Sequence, residues 1–444
     1  MTLTVSRSLL FGVTCLGLAC AGGVRTGAVT PAEIPALLTQ AQQQPNNASV
    51  RFRLAAALMA AGRCDTAVVV ARAGQLMAPA NAIGPLVAGG CQEKDGRYDL
   101  AFATYTDFAA QHPQARGVAT VRAKAQLALR TQAEQTARQA LASESTLTSL
   151  APEPSTLAVL PVTISAGGDS TFQPLSRGLA ELITSDLAMV RTLRLLERVQ
   201  IGALLDELKL GQTQRGDPTT AARVGRLLRA ERMVQGVASI TPDGPVRLSA
   251  SVVRGDGTVR SGAQANGTFK ELLDLEKQLV FGLATQLGIQ LTDAERQSIL
   301  RQGPRNLAAF LAYSQGLDAL DRGDYRAAAA AFSASVRADP NFQAARQQQQ
   351  AAEAAPAAQG GGDVVSAVEA AQEPPTTPEL PTDGALESAK DETSPPPGPP
   401  LPQVSGSPAP LGGEQVKPKL TPASEGITSV TGASGIIKII FRRP

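Results

Sequence analysis

Five positions of the chain recur at one interval. Gly62, Cys64, Ala67, Ala71 and Pro79 are echoed by Gly96, Tyr98, Ala101, Tyr105 and Pro113, each pair 34 residues apart. An interval of that size holds one helix, a turn and a second helix. Glycine permits the backbone conformation of the turn, alanine lets the two helices cross closely, and proline stops the second helix. Such a unit cannot bury its apolar face alone and must stack on copies of itself. A helical array is therefore expected over residues 31–145. Its last part, Val118 to Ala142, lacks the signature and reads as a closing helix. Aromatic residues make up 3% of the chain and Trp is absent. That suits small-residue helix packing and does not suit a carbohydrate- or base-stacking site.

The segment GRYDLAFATYTDFAAQHP resembles the second helix of the tetratricopeptide repeat. Arg51 and Pro85 stand where that family places a bulky aromatic early in each first helix. A further copy lies at 304–346, with Gly316, Gly323, Tyr325, Ala328, Phe332 and Pro340 at the family's spacing and Ala312 at the aromatic position. The resemblance implies protein binding on a concave helical surface. A lone C-terminal copy must pack on the central part of the chain or on a partner.

Between the repeats the texture changes. The continuous apolar run Leu157–Val162 is the mark of a strand buried on both faces. A helix opened by Pro174, a strand at Leu193–Leu196 and a helix through Ile201, Leu204, Leu205 and Leu208 follow. Asp217-Pro218 is a cap and first-turn pair for a third helix ending at Leu228. Arg232–Ala238 reads as a strand, Val246–Val253 and Thr258–Gly267 as a hairpin through RGDG, and Leu272–Leu287 as a last helix. The order β-α-β-α-α-β-β-β-α makes an α/β domain, residues 155–291, with a mixed sheet; the whole chain is α+β.

The stretch LAVLPV…LSRGLAELITSDLAMVRTLRLLERVQIGALLDELKL…DPTTAARVGRLLRAERMVQGVAS…VRLSASVVRGDGTV resembles the periplasmic domain of CsgG-like curli-assembly proteins and the similar TolB N-terminal domain. Val162 stands where the family usually has Phe after the strand's proline. The resemblance implies an assembly or docking module in the envelope, with ring formation as a second expectation. The family's secretion channel needs membrane hairpins with an outward apolar face. The hairpin around Gly255–Gly257 looks short and has Arg247, Arg254 and Arg260 on or beside it, so no pore is expected.

Arg7 followed by the short apolar run Leu9–Leu18 reads as an export signal over residues 1–21. Two processing readings compete. Ala19-Cys20-Ala21 fits cleavage after Ala21, whereas Gly17-Leu18-Ala19-Cys20 resembles a lipobox that would lipidate Cys20, although Leu16 is one place too early. With Cys15 and Cys20 in the signal, Cys64 and Cys91 remain. In an oxidising compartment they are a candidate disulfide joining two repeats; two buried thiols are the alternative.

No catalytic, cofactor-binding or metal-binding constellation is legible. His112, the only histidine, adjoins Pro113 at a repeat boundary and reads as a surface or capping residue. Gly167-Gly168-Asp169 follows a strand and precedes a helix, as a ligand loop would, but lacks a dinucleotide fingerprint and reads as a turn. Asp186, Glu197, Asp206 and Glu207 read as solvated helix faces and salt-bridge partners. A net charge of +2, with no basic stripe, argues against nucleic acid. Residues 351–425, with SPPPGPPLP, read as a disordered linker. Residues 426–444 contain the β-prone pieces Ile427–Val430 and Ile436–Phe441, read either as a sticky end or as a strand that adds to a sheet edge.

These features point to a non-enzymatic, periplasm-facing scaffold that binds other envelope proteins. The alternatives are a non-spanning component of an outer-membrane assembly complex, self-associated and held by lipid, and a small-ligand sensor at Gly167.

Overall fold

A computed structural model describes residues 29–166, 169–209, 217–241, 244–359 and 365. The chain divides into two units, Met1–Pro374 and Pro375–Pro444, and the following concerns the first. The export signal with Cys15 and Cys20, the Gly167-Gly168 pair and the C-terminal end lie outside the described residues.

The N-terminal part is helical: α1 (Ile34–Gln43), α2 (Ala48–Ala60), α3 (Cys64–Met77), α4 (Ile83–Lys94), α5 (Tyr98–Gln111) and the long α6 (Val118–Ala142), followed by the short α7 (Glu144–Ser149). Gly62 and Gly96 hold the α2–α3 and α4–α5 turns with φ of 75° and 72°, a region only glycine enters without strain. Ala67 and Ala101 are fully buried. Pro79 and Pro113 are exposed just past the ends of α3 and α5. Tyr98 is half-buried, and His112 is half-buried against Phe108, their rings 5.1 Å apart.

The central domain contains β1 (Glu153–Val159), β2 (Thr163–Ser165), α8 (Leu175–Leu187), β3 (Arg194–Leu195), α9 (Arg198–Glu207), α10 (Pro218–Leu228), β4 (Ala230–Ile240), β5 (Pro245–Arg254), β6 (Val259–Thr268) and α11 (Leu272–Gln286). Its sheet runs β3-β1-β4-β5-β6. β3, β1 and β4 are parallel, β4 to β6 antiparallel, and β2 extends the line of β1 along β4. The sheet is mixed, as its apolar and turn pattern requires. β1 alternates between two cores, with Leu157 and Val159 facing α8 and α11, and Ala158 and Leu160 facing α9 and α10. Asp217 caps α10 by accepting the Thr219 N–H at 3.0 Å, with Pro218 at the first helical position.

Three elements differ from the sequence-based expectation. The β5–β6 strands are each ten residues long, not short, because the hairpin completes the domain sheet beside β4. β2 adds a three-residue strand, and the linker after α11 folds into α12 (Asp293–Arg301), closed at its start by a Thr292–Glu295 capping box.

The C-terminal helices are α13 (Leu307–Asp321), α14 (Tyr325–Ala338) and α15 (Gln343–Gln359). Gly323 (φ 75°) holds the α13–α14 turn, Ala328 is fully buried, Tyr325 is half-buried and Pro340 is exposed. Helix α15 runs through 351–359, where composition alone suggested linker. Ala351, Ala352, Ala355 and Ala358 are buried, and alanine is the best helix former. The helix lies on α6, with Ala355 and Ala358 against Ala123 and Gln126 donating to Gln348 at 2.6 Å.

Candidate functional site

The turns of the helical pairs bring together more than helix ends. A Cβ at Gly89 would stand 2.3 Å from the Tyr105 ring, and one at Gly316 would stand 2.4 Å from Phe332. Both glycines precede their aromatic by 16 residues, so an aromatic on the second helix seats in a notch on the first. Ala55 and Ala71, buried and equally spaced, are the small-residue version in the first pair. There Phe52, next to Arg51, is fully buried and fills the space over Gly74 and Gly84. Cys64, at the first position of α3, and Cys91, late in α4, are bonded through their sulfurs with Cα atoms 5.4 Å apart.

The three parts of the unit meet at an open cavity of about 410 Å³. Its walls are α6, α8, α9 and the ends of α13 to α15. It is lined by Gln126, Arg130 and Glu134 of α6, Glu181 of α8, Arg198 and Asp206 of α9, Leu317 and Asp321 of α13, and Tyr325 of α14. One flank is an ion cluster. Arg177 donates from Nε to Asp321 at 2.6 Å and from Nη1 to Asp318 at 2.8 Å. Arg198 donates from Nη1 to both oxygens of Asp321 at 2.8 and 2.6 Å, and from Nε to Glu181 at 3.2 Å. Asp318 also receives Arg322.

Burial alone would make Arg198 a weaker cation. The Asp321 and Glu181 carboxylates overturn that and hold its guanidinium charged, with a raised pKa. Below this cluster α8 and α13 approach closely, since a Cβ at Gly178 would overlap Ser314 Oγ at 1.9 Å. Asp321 thus locks the last residue of α13 to two helices of the sheet domain.

Glu197 is not a solvated face. It lines the cavity, and burial, helped by the Glu181 carboxylate, pushes its carboxyl up to about 7 against the opposing pull of Arg198. Asp206 and Glu207 are exposed at the rim, with Glu207 3.9 Å from Arg138. Asp186 is also misread by a surface assignment: it is fully buried between α8 and α11 beside Glu276 and Lys277. Lys277 donates to Asp186 Oδ2 at 2.6 Å. Burial raises Asp186 against the pull of Lys277, and it raises Glu276 further, with Asp186 adding its repulsion. Helix periodicity carried this signal, since Asp186 falls three and four positions after Ile183 and Leu182, and Glu276 four after Leu272.

The remaining sequence candidates stay apart. Asp169 accepts the Thr171 N–H at 2.8 Å and caps a short turn, which is a structural task. Among the described residues no group of His, Cys, Asp and Glu could hold a metal ion, and no helix is long and apolar enough to cross a membrane. The cavity joins polar groups that are largely paired with one another, an arrangement that fixes geometry.

Residues 122–241 match the model of the family described as curli production assembly/transport component CsgG. The match opens inside α6, upstream of the Leu157 start suggested by the strand pattern, and closes one residue past β4. No curated protein matches the chain. The stretch from α6 to β4 is CsgG-like.

Proposed function

We propose that this chain is an exported, non-enzymatic scaffold facing the periplasm. In this reading residues 31–145 and 304–346 are tetratricopeptide repeats that bind other envelope proteins, and residues 155–291 are a CsgG-like docking domain. The observation that carries it is the position of the family match, which begins within α6. That helix ends the N-terminal array, packs on α9 and receives α15, so it is shared between the array and the CsgG-like stretch. The glycine–aromatic notches at Gly89–Tyr105 and Gly316–Phe332 support the repeat reading. The Cys64–Cys91 bond supports an oxidising compartment. Two exposed apolar side chains on one face of α3, Val69 at 68% and Leu76 at 81%, are the surface offered to a partner. The family's description as an assembly and transport component favours a second reading, a self-associated component of an outer-membrane assembly complex anchored through Cys20.

Intact mass and cross-linking of the protein recovered from cell envelopes test both. A start after Ala21 with heterologous cross-links lost in Val69→Asp/Leu76→Asp supports the scaffold. An acyl adduct on Cys20 with cross-links mainly between copies supports the assembly component. A retained Met1 in the soluble cell interior overturns both.

A further inference from the structure

The cavity at the meeting of α6, α8, α9 and the C-terminal helices has a lining in which every guanidinium group is already paired. Among the described residues, Arg130 and Arg138 reach Glu134 at 3.2 and 3.6 Å, and Arg138 lies 3.9 Å from Glu207. Arg177 and Arg198 are held by Asp318, Asp321 and Glu181. Glu197 is the exception among the acids. It stands at the N-cap position of α9, yet its side chain bonds none of that helix's free N–H groups. It lines the cavity, and among the described residues no donor reaches its carboxyl. Its near charges are Glu181, which repels it, and Arg198, which attracts it but is committed to Glu181 and Asp321. Gln126 adds a second acceptor: its Nε2 donates to Gln348 at 2.6 Å, while its Oε1 is buried and receives nothing.

An occupant that suits this lining brings N–H donors and positive charge. An anion would meet the carboxylates that already cover each guanidinium, at distances where like charges repel. A metal ion needs several converging ligands, and among the described residues no group of His, Cys, Asp and Glu provides them. An ammonium group needs fewer, being a compact cation with three donors. The apolar part of the lining sets the body of the ligand. Leu127, Leu317 and Leu320 border the same space, which favours a short aliphatic stem. Its volume of about 410 Å³ lies in the range of small-molecule sites.

We infer that this cavity binds a small aliphatic monoammonium ion, its nitrogen donating to the Glu197 carboxylate and its stem lying against Leu127, Leu317 and Leu320. The walls come from the N-terminal array, the sheet domain and the C-terminal helices, so the ligand touches all three at once. Its binding tightens the same seam that Asp321 clamps.

The test is titration of the full-length protein with n-butylammonium chloride at pH 8 and constant ionic strength, read by calorimetry and by amide hydrogen exchange. Sodium butyrate and n-butanol serve as the anionic and neutral isosteres. At that pH the amine is protonated and Glu197, with its pKa raised to about 7, is mostly ionised. The expected result is saturable butylammonium binding with a Kd below about 10 mM and binding at least about tenfold weaker for either isostere. Amides at the start of α9 and in the last turn of α13 should exchange at least about fivefold more slowly in the saturated protein. Glu197→Gln keeps the shape, removes the charge and should weaken butylammonium at least about tenfold. Asp274→Asn, on the exposed side of α11, removes the same charge elsewhere and should leave the affinity within about twofold. The isostere comparison and the place of protection are read on the parent, so they decide the matter even where Glu197→Gln fails to fold. No saturable binding to the parent, butyrate or butanol binding within about threefold of butylammonium, protection away from the cavity walls, or equal affinity in Glu197→Gln would each overturn the inference.

Discussion

Replacing Asp321 by alanine should release the C-terminal helices from the sheet domain while leaving the sheet intact. Asp321 accepts three hydrogen bonds from Arg177 and Arg198 at 2.6, 2.6 and 2.8 Å. Hydrogen bonds to charged groups contribute about 1.5–3 kcal/mol each, so simple addition would give about 4–9 kcal/mol. Two features lower that figure. Arg177 keeps Asp318 and Arg198 keeps Glu181, so neither cation is orphaned. The Asp321 side chain is also 25% exposed, which admits solvent screening. A loss of about 2–3 kcal/mol remains, with about half of it in Asp321→Asn, whose amide oxygen still accepts. Because the interaction is local to α13, amides of α13 and α14 should exchange about 30–150-fold faster while those of β4 and β5 keep their rates. A cycle with Arg198→Met should give a coupling of about 1–3 kcal/mol. Exchange of α13 and α14 amides in Asp321→Ala within about threefold of the parent, or an acceleration spread evenly over the chain, would refute the clamp.

Reducing the Cys64–Cys91 bond, which spans 27 residues, should lower stability by about 3–4 kcal/mol on the chain-entropy relation, seen as an earlier urea midpoint for the helical array. Glu197 has a pKa raised to about 7, so its contribution is fully present below about 4.5 and is lost as pH rises through 7. Glu197→Gln should remove that slope, which is at most about 3 kcal/mol, in melts taken from pH 4.5 to 8. Gly316→Ala should cost about 1–3 kcal/mol by pushing on Phe332. Gly62→Ala meets open space and should cost about 1 kcal/mol through its positive φ alone, a contrast measurable by parallel denaturant titrations.

How much of this was legible depended on how far each residue's partner lies along the chain. The strand Leu157–Val159 declared itself because a run without polar breaks has no solvent-facing side, and Asp217-Pro218 marked a helix start through two local properties. The notches at Gly89 and Gly316 could be read from spacing, since helix and turn lengths fix which residues meet. The clamp could not: Arg177 and Asp321 are 144 positions apart, and nothing near either announces the other. Asp186 and Glu276 were legible in principle, because the helical period sets both among leucines, but their charge argues for surface when read alone. Residues 351–359 were obscured by composition, since glutamine and Pro356, which sits inside the helix, mask an alanine spacing that fits a helix groove.

The seating of α15 on α6 bears on the order in which this chain can acquire its shape. Arg122 reaches Gln350 across 228 positions, so that seam cannot form until most of the polypeptide has emerged. Closing so long a loop is entropically slow, whereas the early helical pairs depend on neighbours tens of residues away. Folding should therefore start at the N-terminal hairpins and end with the seam that brings α15 onto α6. A chain threaded unfolded through an export channel would gain from that order, because this seam stays unmade until residue 350 has passed.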